Sequence, residues 1–168
     1  MGTNLPEQKE AVKRTAKVIA DFIQDGWQVA IVHSNAPQVG MIHTAMNEFG
    51  KQHHGYSSAP MSVCSAMSQG YIGFHLQNAL QNSFCAQGMT THVSTAITQV
   101  IVDRLDPAFK KPTKPVGLFY TEEAANAITK EKGHTFIEDS GRGFRRVVPS
   151  PDPIDIKEKG TIRCLMEN

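Results

Sequence analysis

Trp27-Gln28-Val29-Ala30-Ile31-Val32-His33-Ser34-Asn35-Ala36-Pro37-Gln38 is the stretch on which the fold turns. Trp27 and Val29 to Val32 form a short, β-prone and nearly unbroken apolar run, the pattern of a strand buried on both faces, which parallel sheets produce. Ser34-Asn35-Ala36-Pro37 supplies turn residues, and from about Gln38 to Phe49 the spacing predicts a helix. At such a junction backbone N–H groups and the helix dipole converge on an anion, and open α/β sheets place their ligands there. His33 to Gln38 is therefore a candidate binding loop. Asn and Pro also make ordinary turns, so at this point both readings stand.

Upstream, Val12, Ala16, Ile19, Ala20 and Ile23 fall on one face of a helix over Pro6 to Gln24, with Asn4 as its cap and Gly26 as its stop. Downstream, a longer helix runs from about Met61 to Ala86, and its Gly70 and Gly73 allow a neighbouring backbone to pack closely. Residues 92–103 read as a second strand. The order of helix, strand, helices and strand predicts an α/β layered fold. From Arg104 to about Ser150 the composition shifts to charge, Pro and Gly: a loop through Asp106-Pro107 and Pro112-Thr113-Lys114-Pro115, a short helix begun by Thr121-Glu122-Glu123, and strands near His134 to Glu138 and Phe144 to Val148. The expected organisation is a main part over 1–103, a small protruding subdomain over 104–150, and a segment over 151–168 that returns by a helix from Ile156 to Asn168.

The chain has 168 residues, a formal net charge of +1 and 20% charged residues, so neither nucleic acid nor an anionic membrane surface is an expected partner. Small polar or anionic ligands stay open. Cys64, Cys85 and Cys164 are far apart and form no C-x-x-C pair, which predicts buried thiols and a cytoplasmic protein. No signal peptide or membrane-spanning run is legible. Gly141-Arg142-Gly143 resembles the start of a dinucleotide loop, but Arg146 stands at the third glycine and a strand follows, so a turn between strands is the reading preferred. The seven histidines, His53-His54 included, show no metal-ligand spacing, which predicts no metal site. Cys64 and Cys85 read as small buried hydrophobes rather than nucleophiles. Lys110, Lys111 and Lys114, with Arg142, Arg145 and Arg146, are candidates for an anionic ligand, each also readable as a solvated surface charge.

Several strings together resemble carbamate kinase, of the amino acid kinase superfamily. They are Ser34-Asn35-Ala36-Pro37-Gln38-Val39-Gly40; Ser68-Gln69-Gly70-Tyr71-Ile72-Gly73 with Leu76-Gln77-Asn78-Ala79-Leu80; Thr98-Gln99-Val100 with Val102-Asp103; Asp106-Pro107-Ala108-Phe109; Pro112-Thr113-Lys114-Pro115-Val116-Gly117; and Gly141-Arg142-Gly143-Phe144-Arg145-Arg146-Val147-Val148-Pro149-Ser150-Pro151. The resemblance implies a partial three-layer α/β/α sandwich with a small protruding α+β subdomain, usually homodimeric. It also implies reversible phosphoryl transfer between ATP, with Mg²⁺, and carbamate, giving carbamoyl phosphate and ADP in arginine or purine catabolism. Lys114 would be the catalytic lysine that contacts carbamoyl phosphate. Ser34, Asn35 and Ala36 would form the substrate-binding loop, with Asn35 helping to hold the reacting group in a backbone cradle.

Two departures shape the expectation. The family has glycines where this chain has Ser34 and Ala36, and an added Cβ limits positive φ and close backbone approach; Ala36 fits if its φ is negative. The resemblance also covers only the N-terminal half of such a kinase, without the first strand and its phosphate loop and without the ATP-binding half. The expectation is thus a truncated or split kinase, inactive alone and completed by a complementary kinase half, with ATP/ADP and Mg²⁺ bound elsewhere. A non-catalytic interaction or carbamoyl-phosphate-binding module that keeps the kinase dimer surface is the alternative. A third outcome is a poorly folded chain with exposed apolar faces and unpaired strand edges.

Overall fold

The computed structural model describes residues 4–167. Its elements in chain order are α1 (Leu5–Gln24), α2 (Gln38–Gln52), α3 (Met61–Ala86), β1 (Val100–Val102), a 3-10 turn (Pro107–Phe109), β2 (Lys114–Tyr120), α4 (Glu122–Lys132), β3 (Phe136–Glu138), β4 (Phe144–Val148), β5 (Pro153–Ile156) and α5 (Lys159–Glu167). They fall into two compact units: one runs to Thr98 and resumes at Glu158, the other is Gln99–Lys157.

In the first unit, Asn4 caps α1 by accepting from the Glu7 N–H at 3.0 Å, and the helix closes with the Trp27 N–H returning to the Phe22 carbonyl. The predicted face of α1 is the buried one: Val12, Ala16 and Ala20 are inside. Small residues at 16 and 20 let α1 lie close against α3, where Leu80 and Phe84 fill the seam and Ile19, Ile23, Ala79, Met89 and Val93 close its sides. Two polar pairs fix the helices in register: Tyr71 Oη donates to Gln8 Oε1 at 2.7 Å, and Gln87 Nε2 donates to Asp21 Oδ1 at 2.9 Å.

The segment after α3 is laid along that helix by side chains rather than by a sheet. Gln69 offers its carboxamide as a peptide edge, donating to the Thr98 carbonyl at 3.0 Å and accepting from the Thr98 N–H at 2.8 Å, while the Thr95 hydroxyl donates to Gln77 at 3.0 Å. Gly73 permits the approach, since a Cβ there would lie 2.2 Å from Thr95 Cγ2; Gly70 faces open space and plays no such part. Gly73→Ala is therefore expected to cost about 1–3 kcal/mol by overpacking. Urea unfolding of the variant beside a Gly70→Ala control, which meets nothing, checks it.

Of the two inner strands anticipated for the main part, the first does not form and the second forms only at its end. Residues 27–33 carry no strand, and of 92–103 only Val100–Val102 is one. A strand is defined by backbone partners, and among the described residues none pairs with 27–33. The side chains expected to be buried on both faces are exposed instead, with Val32 95% accessible. All strand pairs among the described residues are antiparallel.

The second unit holds both sheets. β1 pairs with β5, Val100 opposite Ile156. The other sheet has the order β2-β4-β3. The sequence reading caught β3, β4 and α4, whose Thr121 caps by accepting from the Ala124 N–H. The start of β2, Lys114-Pro115, falls in the stretch expected as loop. As an edge strand β2 accommodates Pro115, and Gly117 at φ +77 sits where the pairing with β4 shifts between Val116 and Tyr120. β5 was hidden among prolines, and α5 begins at Lys159 rather than Ile156 because β5 occupies that residue; Asn168 lies outside the described residues.

Asp139 ties the β3–β4 hairpin together, accepting from Arg145 at 3.0 Å and lying 3.6 Å from Arg142. The Arg145 hydrogen bond, helped by the Ser140 hydroxyl, holds its carboxyl below the usual carboxylate range. A group lowered in this way stabilises the fold above its unfolded pKa and ceases to do so as pH falls through the folded one. The second unit is expected to weaken below about pH 4, and Asp139→Asn to reduce that acid sensitivity. Comparing urea midpoints of the two proteins at neutral and acidic pH checks this.

Candidate functional site

The loop from His33 to Gln38 leads into α2 without a side-chain cap: Pro37 stands at the N-cap position, and among the described residues no side-chain cap bond is made there. The loop nevertheless has a fixed form. The Asn35 carbonyl accepts from the Val39 N–H at 2.9 Å, and the Pro37 carbonyl from Gly40 and Met41 at 3.1 and 3.2 Å. The Asn35 side chain donates from Nδ2 to the Ser65 hydroxyl at 3.1 Å, so α3 orients it across 30 residues of sequence. Ser65 is itself held in the first turns of α3, where its carbonyl accepts from the buried Ser68 hydroxyl.

Gln38 is the least expected member. It is 2% exposed, and its Nε2 has no partner among the described residues. A buried amide donor left unpaired costs about 1–3 kcal/mol. No acidic residue occurs between Asp25 and Glu48. An uncapped helix N-terminus and a positioned Asn with no nearby carboxylate in sequence suit a small anion.

Ser34 and Ala36 are exposed, and neither has positive φ; Ser140 is the one described non-glycine residue that does. The loop thus reaches its form without the conformations that glycine alone reaches easily, and the steric objection raised by two extra Cβ atoms falls away on the backbone side. Lys114, in the second unit, is exposed at the start of β2, opposite Val148.

The other candidates resolve into structure. Gly141-Arg142-Gly143 is the turn between β3 and β4, closed by the Asp139 N–H to the Gly143 carbonyl at 2.9 Å. Arg142 and Arg145 are not spare charge: both contact Asp139, and both stack over Phe119, at 4.9 and 5.1 Å from its ring centre. His53 packs on Phe49. Cys64 is buried, and burial pushes its thiol up, away from thiolate chemistry. Cys85 and Cys164 are exposed, contrary to the expectation of buried thiols. Among the described residues no three His, Cys, Asp or Glu side chains gather as a metal site, and no helix is long and apolar enough to cross a membrane.

The string 34–38 singled out this loop, but nothing in the sequence linked Ser65 to Asn35, and Gln38 was read as a helix start rather than as a buried donor.

Over all 168 residues the chain is 49% identical to a carbamate kinase of Staphylococcus epidermidis, matching 100% of this chain and 54% of that one. It is 52% identical over 162 residues to the carbamate kinase of Pyrococcus horikoshii, matching 96% and 51%. Among solved structures, the carbamate kinase from Giardia lamblia bound to AMP-PNP superposes with a TM-score of 0.85 at 39% identity, over 100% of this chain and 52% of that one. The chain spans about half the length of the curated relatives it matches. No protein-family model matches the sequence.

Proposed function

Because the chain is homologous along its whole length to about half of a carbamate kinase, we propose that it forms the part of such a phosphotransferase that binds carbamate and carbamoyl phosphate. The uncapped start of α2 beside the Ser65-fixed Asn35 is the observation that supports this most. In this reading the loop N–H groups of residues 34–36 hold the anionic end of the ligand, and Asn35 orients it. Lys114 is proposed, from the resemblance, as a phosphate contact whose compact ammonium offsets phosphoryl charge.

ATP or ADP and magnesium belong to the same reading, but the described residues do not fit them. The glycine pair at 141 and 143 is a hairpin turn and not a loop feeding a helix, and no carboxylate group gathers to hold a divalent ion. No phosphoryl step is therefore derived from this chain's residues, and the nucleotide is assigned to a complementary part of the kinase. Calorimetric titration with carbamoyl phosphate, together with an assay of ADP-dependent ATP formation, tests the proposal. Saturable binding without turnover is expected from the 168-residue chain; absence of binding, or robust turnover by this chain alone, contradicts it.

A further inference from the structure

His33, the residue that opens the binding loop, makes a contact that the function proposed above does not use. Its Nδ1 lies 3.1 Å from the Ser34 carbonyl oxygen. A carbonyl only accepts, so Nδ1 carries a proton and, in the neutral ring, Nε2 is bare. The next carbonyl is tied as well: that of Asn35 accepts from the Val39 N–H at 2.9 Å, in the first turn of α2. The peptide units joining Ser34 to Asn35 and Asn35 to Ala36 are trans, and in a trans unit the C=O and the N–H point opposite ways. Fixing the Ser34 carbonyl on the imidazole therefore turns the Asn35 N–H away from the ring. Fixing the Asn35 carbonyl on α2 turns the Ala36 N–H away from Val39. Among the described residues neither of these N–H groups has an acceptor.

No Lys, Arg, Asp or Glu lies between Asp25 and Glu48. An anion at this loop is therefore held by neutral donors of the loop, and the direction of each donor decides how well it is held. Of the two bonds that set those directions, the one to Val39 belongs to the start of α2, whereas the one to His33 is under the control of a single side chain. We propose that His33 is a positioning residue: its Nδ1–H holds the Ser34 carbonyl and so presents the Asn35 N–H to the anionic end of carbamoyl phosphate. The imidazole touches no ligand atom itself. Without it the peptide unit between 34 and 35 is free to rotate, and the Asn35 N–H loses its direction. That loss shows in affinity rather than in folding, because residue 33 lies outside every described helix and strand. The identity of the ligand rests on the functional reading above; the role of His33 rests on its contact with Ser34.

The test compares two variants with the 168-residue chain in calorimetric titrations with carbamoyl phosphate. His33→Phe keeps a planar ring of similar size but has no donor; His33→Asn loses the ring but carries its Nδ2–H where Nδ1–H stands. Both are expected to keep the far-ultraviolet dichroism of the parent chain. His33→Phe is expected to bind at least about fivefold more weakly, and His33→Asn to stay within about twofold of the parent. A residue that only packs would give the reverse order. A second readout needs no variant: long-range ¹H–¹⁵N spectra of the ring are expected to show its neutral form protonated at Nδ1. Equal affinity of the three proteins, His33→Asn as weak as His33→Phe, or a neutral ring protonated at Nε2 each overturns the positioning role while leaving the binding loop in place. Absence of saturable binding to the parent chain overturns the functional reading, and the role of His33 with it.

Discussion

Replacing Phe84 by alanine will lower the unfolding free energy of the chain by about 3–5 kcal/mol, the range for removing a large aromatic side chain from a packed core. Phe84 is 1% exposed and meets Ala16, Ala20 and Leu80 where α1 crosses α3. The small residues of α1 cannot swell to fill the space, and both helices are pinned in register by the Tyr71–Gln8 and Gln87–Asp21 hydrogen bonds. The cavity therefore stays open. A domain of this kind has about 5–15 kcal/mol in total, so the variant should lose much of its helical signal at modest urea. Urea unfolding followed by circular dichroism reads the effect, and a change below about 1 kcal/mol would place the core elsewhere. Function follows from the same seam. α3 carries Ser65, which orients Asn35, and Gln69, which holds Thr98, so loosening α3 loosens the loop that it positions.

Changing Asn35 to aspartate is the substitution with the largest expected effect on ligand. Asn35 and aspartate have nearly the same shape, so the loop is retained, but a negative charge is introduced beside a bound anion. Unit charges about 4 Å apart repel by about 1–4 kcal/mol between bulk-water and surface screening, so carbamoyl phosphate should bind at least about fivefold more weakly. Asn35→Ala loses the Ser65 hydrogen bond without adding charge and should be milder, near the cost of one hydrogen bond, about 1 kcal/mol. The order Asn35, then Ala, then Asp in calorimetric affinity is the expected result. Equal losses for both variants would mean that the residue only shapes the loop.

What could be seen from the residues alone divides along a physical line. α1, α2 and α3 were legible because helices satisfy their own backbone: Val12, Ala16 and Ala20 at helical spacing, with Asn4 before them, suffice to place α1. Strands borrow their partners. The run Trp27 to Val32 has the composition of an inner strand and does not become one, because its composition says nothing about whether another backbone lies beside it. β2 and β5 went the other way: Pro115 lies in a stretch expected as loop, yet β2 takes it in as an edge strand with a register shift at Gly117, and β5 starts at Pro153, in a stretch for which no strand was expected. At the candidate site the string 34–38 pointed to the right loop. The Ser65 contact spans 30 residues and leaves no local trace, and the unpartnered Gln38 amide is a fact of burial that only coordinates reveal.

The central claim is that the uncapped start of α2 receives carbamoyl phosphate. Its most direct test is a ¹H–¹⁵N titration of the 168-residue chain, followed at the backbone amides of Ser34, Asn35, Ala36 and Gln38. Saturable shifts centred on these groups, shared only weakly with inorganic phosphate and lost in Asn35→Asp, are the predicted result. Shifts that never saturate, that fall elsewhere, or that survive unchanged in Asn35→Asp would contradict it.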